Sequence, residues 1–317
     1  MTSSNRRLLV TLALVGVCAV WGGTFVMVKG AVAEYPIYAF LGWRFLIAVV
    51  AFLILFPGTF RRFAPGTVRV GLLAGAFLIV GYIFQTWGLQ GTTASKAAFI
   101  TGMFVVITPV MQAVVLRRTP RATTMAGVVL AVVGLWLLSG ASSGGWNVGD
   151  SRTLLCAFAY SGHMIVLGGP GRKHDARALT LVQLAVTGLV CGTVSLAIER
   201  PYAWPSSQVW VALAVTGVLA SAVAFAVQTY AQRILSPTKT ALVLIMEPVF
   251  GGFFGWLAGE ALGIRGLAGS ALILGGMIVA EFLGGASETG EHIQLQPTLE
   301  GPAVPVVESG TEMRMSE

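Results

Sequence analysis

Residues 85–98 read QTWGLQGTTASKAA, and residues 228–241 read QTYAQRILSPTKTA. Each stretch opens on a Gln-Thr-aromatic triplet, places a lysine (Lys96, Lys239) eleven residues after the glutamine, and follows it with a matching alanine (Ala98, Ala241). The likeness continues outward. Trp21-Gly22-Gly23-Thr24 faces Tyr160-Ser161-Gly162-His163, and Arg44 faces Gln183, both at a shift of 139. Pro109 pairs with Pro248 once about one helical turn is allowed as extra in the first copy, an indel that leaves the facing surface nearly unchanged. The matches keep one order along the chain, so one unit has been written twice.

Around these copies lie ten apolar runs, at 8–28, 36–56, 69–89, 94–116, 122–140, 152–169, 178–198, 207–230, 238–258 and 264–284. A hydrocarbon core about 30 Å thick needs about 20 helical residues to cross it, and these runs have that length. They lack the apolar/polar alternation of a transmembrane barrel strand. With 56% hydrophobic and 10% charged residues and a mean hydropathy of +0.82, the chain is far too apolar for a soluble domain. The expected fold is all-α: ten transmembrane helices as two inverted five-helix repeats. Five crossings are odd, so the second repeat starts from the opposite side of the membrane and an in-plane pseudo-two-fold axis relates the two.

The domain boundaries read as a short N-terminus at 1–7, a first repeat at 8–140, a connecting loop at 141–151, a second repeat at 152–284 and an acidic tail at 285–317. The tail carries six Glu against one Arg and is punctuated by Pro297, Pro302 and Pro305, a composition that cannot build a core. With the N-terminus in the cytoplasm, fourteen Lys and Arg fall on the cytoplasmic side, five on the other, and Arg44 within the membrane, which accounts for all 20. That bias predicts both termini in the cytoplasm of a bacterial-type plasma (inner) membrane. The net charge of +7 thus reports topology, and nucleic acid is excluded as a partner.

Cys18, Cys156 and Cys191 lie inside apolar runs and form neither a disulfide framework nor a metal set, so no metal and no cofactor are expected. Arg6 and Arg7 before the first run resemble an export signal, but that run is as long as a span and nine more follow. Gly140-Ala141-Ser142-Ser143-Gly144 has the letters of a nucleophile elbow without its strand-to-helix turn. Gly168 to Lys173 is glycine-rich but lacks the phosphate-loop spacing.

The runs Ala19-Val20-Trp21-Gly22-Gly23-Thr24-Phe25, Pro36 with Leu41-Gly42-Trp43-Arg44-Phe45, Thr108-Pro109-Val110 and Glu247-Pro248-Val249-Phe250 resemble the EamA-type drug/metabolite transporters. Gly259-Glu260 followed by Gly269 and Gly275-Gly276 adds to the resemblance, which covers residues 8–284. It implies a ten-helix inverted-repeat fold and the transport, often the efflux, of small metabolites. The chain departs from the family pattern at Arg118, where such proteins often carry an acidic residue opposite Glu260.

Candidate site residues follow from cost. Glu247 sits near the centre of span nine, where a charged carboxylate costs about 2.5–3.5 kcal/mol or more unless paired, hydrated or protonated. Pro248 deprives the Leu244 carbonyl of its helical partner, and Pro109 does the same in span four, so both are expected at helix breaks. Arg44 lies too deep to reach the headgroups and needs a carboxylate, carbonyls or an anionic solute, Glu247 being one such partner. Gln85 and Gln228 can orient a polar solute or bond between helices. His163 can titrate or simply pack. Trp21 and Tyr160 can stack on an amphipathic or cationic solute or face lipid. Lys96 and Lys239, at opposite mouths, are gating candidates; otherwise they reach headgroups. Gly71/Gly75, Gly251/Gly255 and Gly259 have the small-xxx-small spacing of closely packed helices.

The function expected is a secondary transporter, exporting a small metabolite or amphipathic drug by alternating access, with proton coupling through Glu247. Its partners are a small-molecule substrate, protons and the lipid bilayer, with a homodimer left open. An intramembrane lipid-modifying enzyme or protease needs a close acid/base set at one depth, which His163 and Glu247 on separate spans do not make. A passive channel is the third alternative.

Overall fold

The computed structural model describes residues 3–115, 117, 119, 121–139, 145–200, 204–235 and 243–280. Among them the chain is helical, with no strand. Spans one to three are single helices: α1 (Ser3–Glu34), α2 (Ile37–Leu55) and α3 (Thr67–Leu89). Span four is divided into α4 (Ala94–Gly102) and α5 (Phe104–Val115), and span five is α6 (Ala122–Ser139). The second half runs α7 (Val148–Gly168), α8 (Ala176–Ile198), then α9 (Ser207–Ala214), a π-helical stretch (Val215–Val223) and α10 (Ala224–Ile234) as span eight. α11 (Met246–Leu257) and α12 (Gly263–Ile278) belong to spans nine and ten. Among the described residues, seven segments are long and apolar enough to cross a membrane. Ile54, Val129, Leu189 and Ile264 stand exposed on the outer surface, which hydrocarbon solvates without cost.

The packing repeats as the sequence does. Exchanging span one with six, two with seven, three with eight, four with nine and five with ten maps the helix contacts onto themselves. Thus α3 on α7 mirrors α1 on α10, α3 on α8 mirrors α2 on the π stretch, and α5 on α7 mirrors α1 on α11. Spans five and ten meet on glycine. A methyl at Gly134 would lie 2.6 Å from the Gly269 carbonyl oxygen, and one at Gly127 would lie 2.5 Å from that of Gly276. Both helices place their glycines seven residues apart, two turns, so the backbones touch twice along one seam. At the pseudo-symmetry axis, Gly251 packs on Ala98 and Gly102 on Pro248.

Gly71 and Gly75 pack against Val182 and Val186 of α8, the close approach that their spacing suggests. Gly259 does something else. At φ +88° it closes α11 in a left-handed turn, with its N–H bonded to Trp256 O (2.9 Å) and the Glu260 N–H to Gly255 O (2.9 Å). That turn aims the Glu260 carboxylate at the start of α4, where it accepts from the N–H groups of Ala94 and Ser95 (both 2.8 Å), with Lys29 Nζ at 3.3 Å. Glu199 does the same for α2, accepting from Tyr38 and Ala39 at 2.9 and 2.8 Å. Two helix ends in the first repeat are therefore capped by carboxylates of the second.

Span six starts at Val148, four residues before the apolar run at 152–169, because Asn147 and Asp150 close a capping box around its first turn. The helix breaks also fall elsewhere than at the prolines. Span four is interrupted at Met103 and span nine at Ile245. Pro248 is the third residue of α11, in the first turn, where no intrahelical N–H is required. Pro109 lies inside α5, one turn and a half past the interruption. The tail at 285–317, the Gly140–Gly144 stretch, Arg118 and Lys239 lie outside the described residues.

Candidate functional site

Between the repeats lies a cavity with about 620 Å³ of space, part of it continuous with solvent. From the first repeat it is lined by Trp21, Thr24, Phe25, Val28, Arg44, Leu78, Tyr82, Gln85, Leu89 and Phe104; from the second by Tyr160, His163, Met164, Phe225, Gln228 and Glu247. All seven residues expected at a central site, Trp21, Arg44, Gln85, Tyr160, His163, Gln228 and Glu247, border this one space.

Arg44, 3% exposed, is held across the repeats: its Nε donates to Ser221 Oγ (3.0 Å) and its Nη2 to Tyr82 Oη (3.1 Å). The guanidinium also lies 4.5 Å from the centre of the Tyr82 ring. The pairing with Glu247 considered from sequence is not made: among the described residues no carboxylate lies within ion-pair distance of Arg44. Two neutral hydroxyls, one of them on the π-helical stretch, take its place. A π turn shifts the register of the following residues, a device common at functional sites. Glu247, 7% exposed, makes no hydrogen bond or ion pair among the described residues.

The remaining polar groups are tethered from behind. Trp21 Nε1 donates to Ala220 O (2.8 Å), leaving the indole ring tilted against Phe225 with centroids 5.8 Å apart. Tyr160 Oη donates to Gln85 Oε1 (3.3 Å). His163 Nε2 pairs with Gln183 Oε1 at 2.6 Å, so Gln183, the repeat mate of Arg44, sits behind the wall rather than in it. The Gln228 amide nitrogen reaches only Met164 Sδ (3.6 Å), and its buried oxygen has no partner among the described residues.

Sequence reading passed over Tyr82 and Phe225. Each lies three residues before a repeat glutamine, Gln85 or Gln228, and so on the same helix face. That aromatic-x-x-Gln pattern occurs in both copies and was readable.

Lys96 is elsewhere. It does not reach headgroups: its side chain is 4% exposed, and Nζ donates to Asp150 Oδ2 at 2.7 Å and to Gly145 O at 3.1 Å. Asp150 also accepts from Thr92 Oγ1 (2.6 Å) and the Asn147 N–H (3.0 Å). This buried pair ties the start of span four to the start of span six, one from each repeat. Asp150 escaped notice because its charge shortens the apolar run; it is buried because Lys96 is.

The pattern of the EamA-like transporter family matches residues 8–140 and again residues 147–282. The chain belongs to the EamA-like transporter family. A transporter of Archaeoglobus fulgidus, described as uncharacterized, is 30% identical over 78% of both chains. The transporter YoaV of Bacillus subtilis, also described as uncharacterized, is 24% identical over 86% of this chain and 97% of its own. An S-adenosylmethionine/S-adenosylhomocysteine transporter of Chlamydia muridarum is 25% identical over 75% of this chain and 80% of its own. A solved crystal structure shares the fold, with a TM-score of 0.64 at 17% identity, covering 88% of this chain and 98% of that one. The protein is thus a multi-pass membrane transporter rather than an enzyme, and a small molecule is its substrate.

Proposed function

We propose that the cavity is the transport site of a secondary carrier that works by alternating access and exports a small metabolite or amphipathic drug across a bacterial-type plasma membrane, with both termini in the cytoplasm. The observation that carries this reading is that side chains of both repeats converge on one space. An inverted pair of bundles around a shared site can close in two ways, one for each side. Trp21 and Tyr160 supply stacking surfaces; Gln85, Gln228 and His163 supply hydrogen bonds; Arg44 and Glu247 supply charge. The breaks preceding Pro109 and Pro248 leave spans four and nine in jointed pieces that can rearrange around it.

Lys96 acts as half of a gate. Its ion pair with Asp150 joins the repeats on one face and must open for that face to open. By the repeat, Lys239 marks the corresponding position on the other face. The gate closes between the first repeat, 8–140, and the first turn of α7, which begins at Val148 and leads into the second repeat, 152–284.

Glu247 carries proton coupling. It shares the cavity with Arg44, Tyr82, Tyr160 and His163. Alone among them it is a carboxylate, and a carboxylate in hydrocarbon gains most by exchanging a proton for a cationic solute. The Chlamydia relative's named substrates carry a purine and an amino-acid group, which suits an aromatic cavity with charges of both signs.

The test is uptake into proteoliposomes with an imposed pH gradient, screened across amino acids, sugars, nucleosides and cationic drugs. Accumulation driven by the gradient in the wild type, lost in Glu247→Gln with facilitated exchange retained, supports proton coupling. Undiminished gradient-driven transport in Glu247→Gln removes it.

A further inference from the structure

The connection between α2 and α3 and the connection between α7 and α8 each contain a short 3₁₀ turn, Thr59–Arg62 and Pro170–Lys173. The two connections are tied together. Arg62 Nη1 donates to Asp175 Oδ2 (3.4 Å), Thr67 Oγ1 lies 3.0 Å from His174 Nδ1, and the Arg177 guanidinium lies 4.8 Å from the centre of the Phe56 ring. With the first turns of α3 and α8 they carry Arg61, Arg62, Arg69, Arg172, Lys173 and Arg177 against one carboxylate, Asp175, which Arg62 and the start of α8 already engage. Among the described residues Arg61, Arg69, Arg172 and Lys173 are exposed and have no ion-pair partner. A cleft with about 290 Å³ of space opens here, lined by Arg172, His174 and Thr229 together with Leu167 and Leu179, and it shares no residue with the central cavity. Apolar side chains border the same connections: Ile54 and Leu55 end α2, Val68, Leu72 and Leu73 begin α3, and all five are exposed. Phe60 and Phe63, on either side of Arg61 and Arg62, are exposed as well and stack with centroids 6.3 Å apart. Exposed apolar rings flanking basic side chains are what a surface seated at headgroup depth presents.

Neither packing nor orientation accounts for this arrangement. The matched junction, at the other ends of α2 and α8, is tied in the same way, by Ser206 Oγ to Glu34 Oε2 (3.2 Å), yet it holds Glu34 and Glu199 with one cation, Arg200. At the repeat shift of 139, Arg172, Lys173 and Arg177 face Ala33, Glu34 and Tyr38, none of them basic. Orientation depends on how many basic residues lie near the span ends and asks for no cleft and no joined loops. We propose that these two connections form a binding site for the headgroup of an anionic phospholipid. Arg172 at the cleft and its neighbour Lys173 hold the phosphate, Arg61 and Arg69 add to the positive field, and the acyl chains leave along the apolar flank of α2 and α3. A guanidinium with no protein partner has its fork of donors open to phosphate oxygens. A zwitterionic headgroup brings a cation of its own into that field and is disfavoured. Free phosphate has no chains to lay on the apolar flank, which is why the occupant is a lipid.

The experiment is calorimetric titration of the purified full chain in neutral detergent with three probes: phosphatidylglycerol, phosphatidylcholine of the same short acyl chains, and inorganic phosphate. Purified protein has no orientation left to choose, so a role of these cations in insertion does not move the readout. Phosphatidylglycerol is expected to bind about tenfold or more tightly than either other probe. Arg172→Gln with Lys173→Gln should weaken its binding about 25-fold, about fivefold for each charge lost, and leave phosphatidylcholine binding unchanged. Arg152→Gln with Arg200→Gln, at the other ends of α7 and α8, should change it less than about twofold, because charges that far off are screened. Should the Arg172/Lys173 double variant fail to purify as a single species, Lys173→Gln alone should cost about fivefold and serves in its place. Equal binding of the two lipids, or a variant at 172 and 173 that binds like the wild type, overturns the inference. So does an equal loss in the Arg152/Arg200 variant, which would mean that only net charge is sensed. Phosphate binding as tight as that of phosphatidylglycerol overturns it too, leaving a site for small anions instead.

Discussion

The helices of the two repeats pack alike, and the side chains they turn to the cavity differ. Trp21 and Tyr160 both present a ring to the cavity, and Gln85 and Gln228 both present an amide, but Arg44 lines it while its mate Gln183 stands behind His163. Glu247 gives the second repeat a carboxylate, and among the described residues no acid of the first repeat lines the cavity. Duplication constrains what holds the helices together, which both copies need. A solute constrains only what faces it.

If that division is correct, substitutions in the scaffold should hurt equally from either repeat, and this is where the largest effect is expected. Gly134→Leu and Gly269→Leu should each abolish recovery of folded protein, because even a single methyl there meets backbone at 2.6 Å. The milder Gly134→Ala and Gly269→Ala should each lower stability by about 1–3 kcal/mol. Gly275→Ala, with nothing within 4 Å of the added carbon, should leave it unchanged. Thermal unfolding in detergent checks this, and a large difference between the two repeats would break the comparison.

The buried ion pair comes next. Lys96→Met strands Asp150 and should cost about 3–5 kcal/mol, whereas Lys96→Met with Asp150→Leu should recover most of that loss. In transport the double variant should open the face that the pair closes, which accelerated efflux of preloaded solute would detect.

Site substitutions should then split the repeats apart. Arg44→Gln, which gives the first repeat its mate's side chain, should weaken solute binding by about 10- to 100-fold through loss of a charged hydrogen bond worth about 1.5–3 kcal/mol. Gln183→Leu should change it less than about threefold, since no solute contact is lost. Titration calorimetry with any solute found in the screen separates the two, and equal losses would show that the asymmetry is only apparent.

The smallest effect belongs to the interrepeat cap. Burial pushes the Glu260 carboxyl up, but the N–H groups of Ser95 and Ala94 and the Lys29 ammonium outweigh it and hold the group below its ordinary value of 4.5. Its contribution to stability is therefore complete above that ordinary value and disappears as pH falls through the lower folded-state value. Glu260→Gln should cost about 1 kcal/mol at neutral pH and nothing at strongly acid pH. A loss independent of pH would remove the charged cap from the account.

How much of this was legible in the sequence follows from the kind of physics involved. Ten apolar runs, their inversion and the seven cavity residues were readable because bilayer thickness and the cost of intramembrane polarity act on each segment by itself. What depends on two segments at once was not. The Lys96–Asp150 pair hides two charges that each look like a span end. The contact of Arg44 with Tyr82 and Ser221, in place of Glu247, depends on helix rotation and on a π stretch that no local pattern in Val215–Val223 announces. The interruption at Ile245 precedes Pro248 because a proline is tolerated in a first turn, whereas Pro109 lies inside α5, past the interruption at Met103. Gly127/Gly134 and Gly269/Gly276 could have been paired, since both pairs are spaced by seven, but glycine alone does not say which helix it meets.

The central claim, that two inverted repeats alternate around a shared binding site, is tested most directly by counterflow. Proteoliposomes loaded with unlabelled solute and diluted into a trace of labelled solute, with no ion gradient, are predicted to accumulate label transiently and saturably, because each return of the occupied site carries a molecule back. Flux that is linear in concentration, with no transient accumulation, would contradict the account and leave a passive channel in its place.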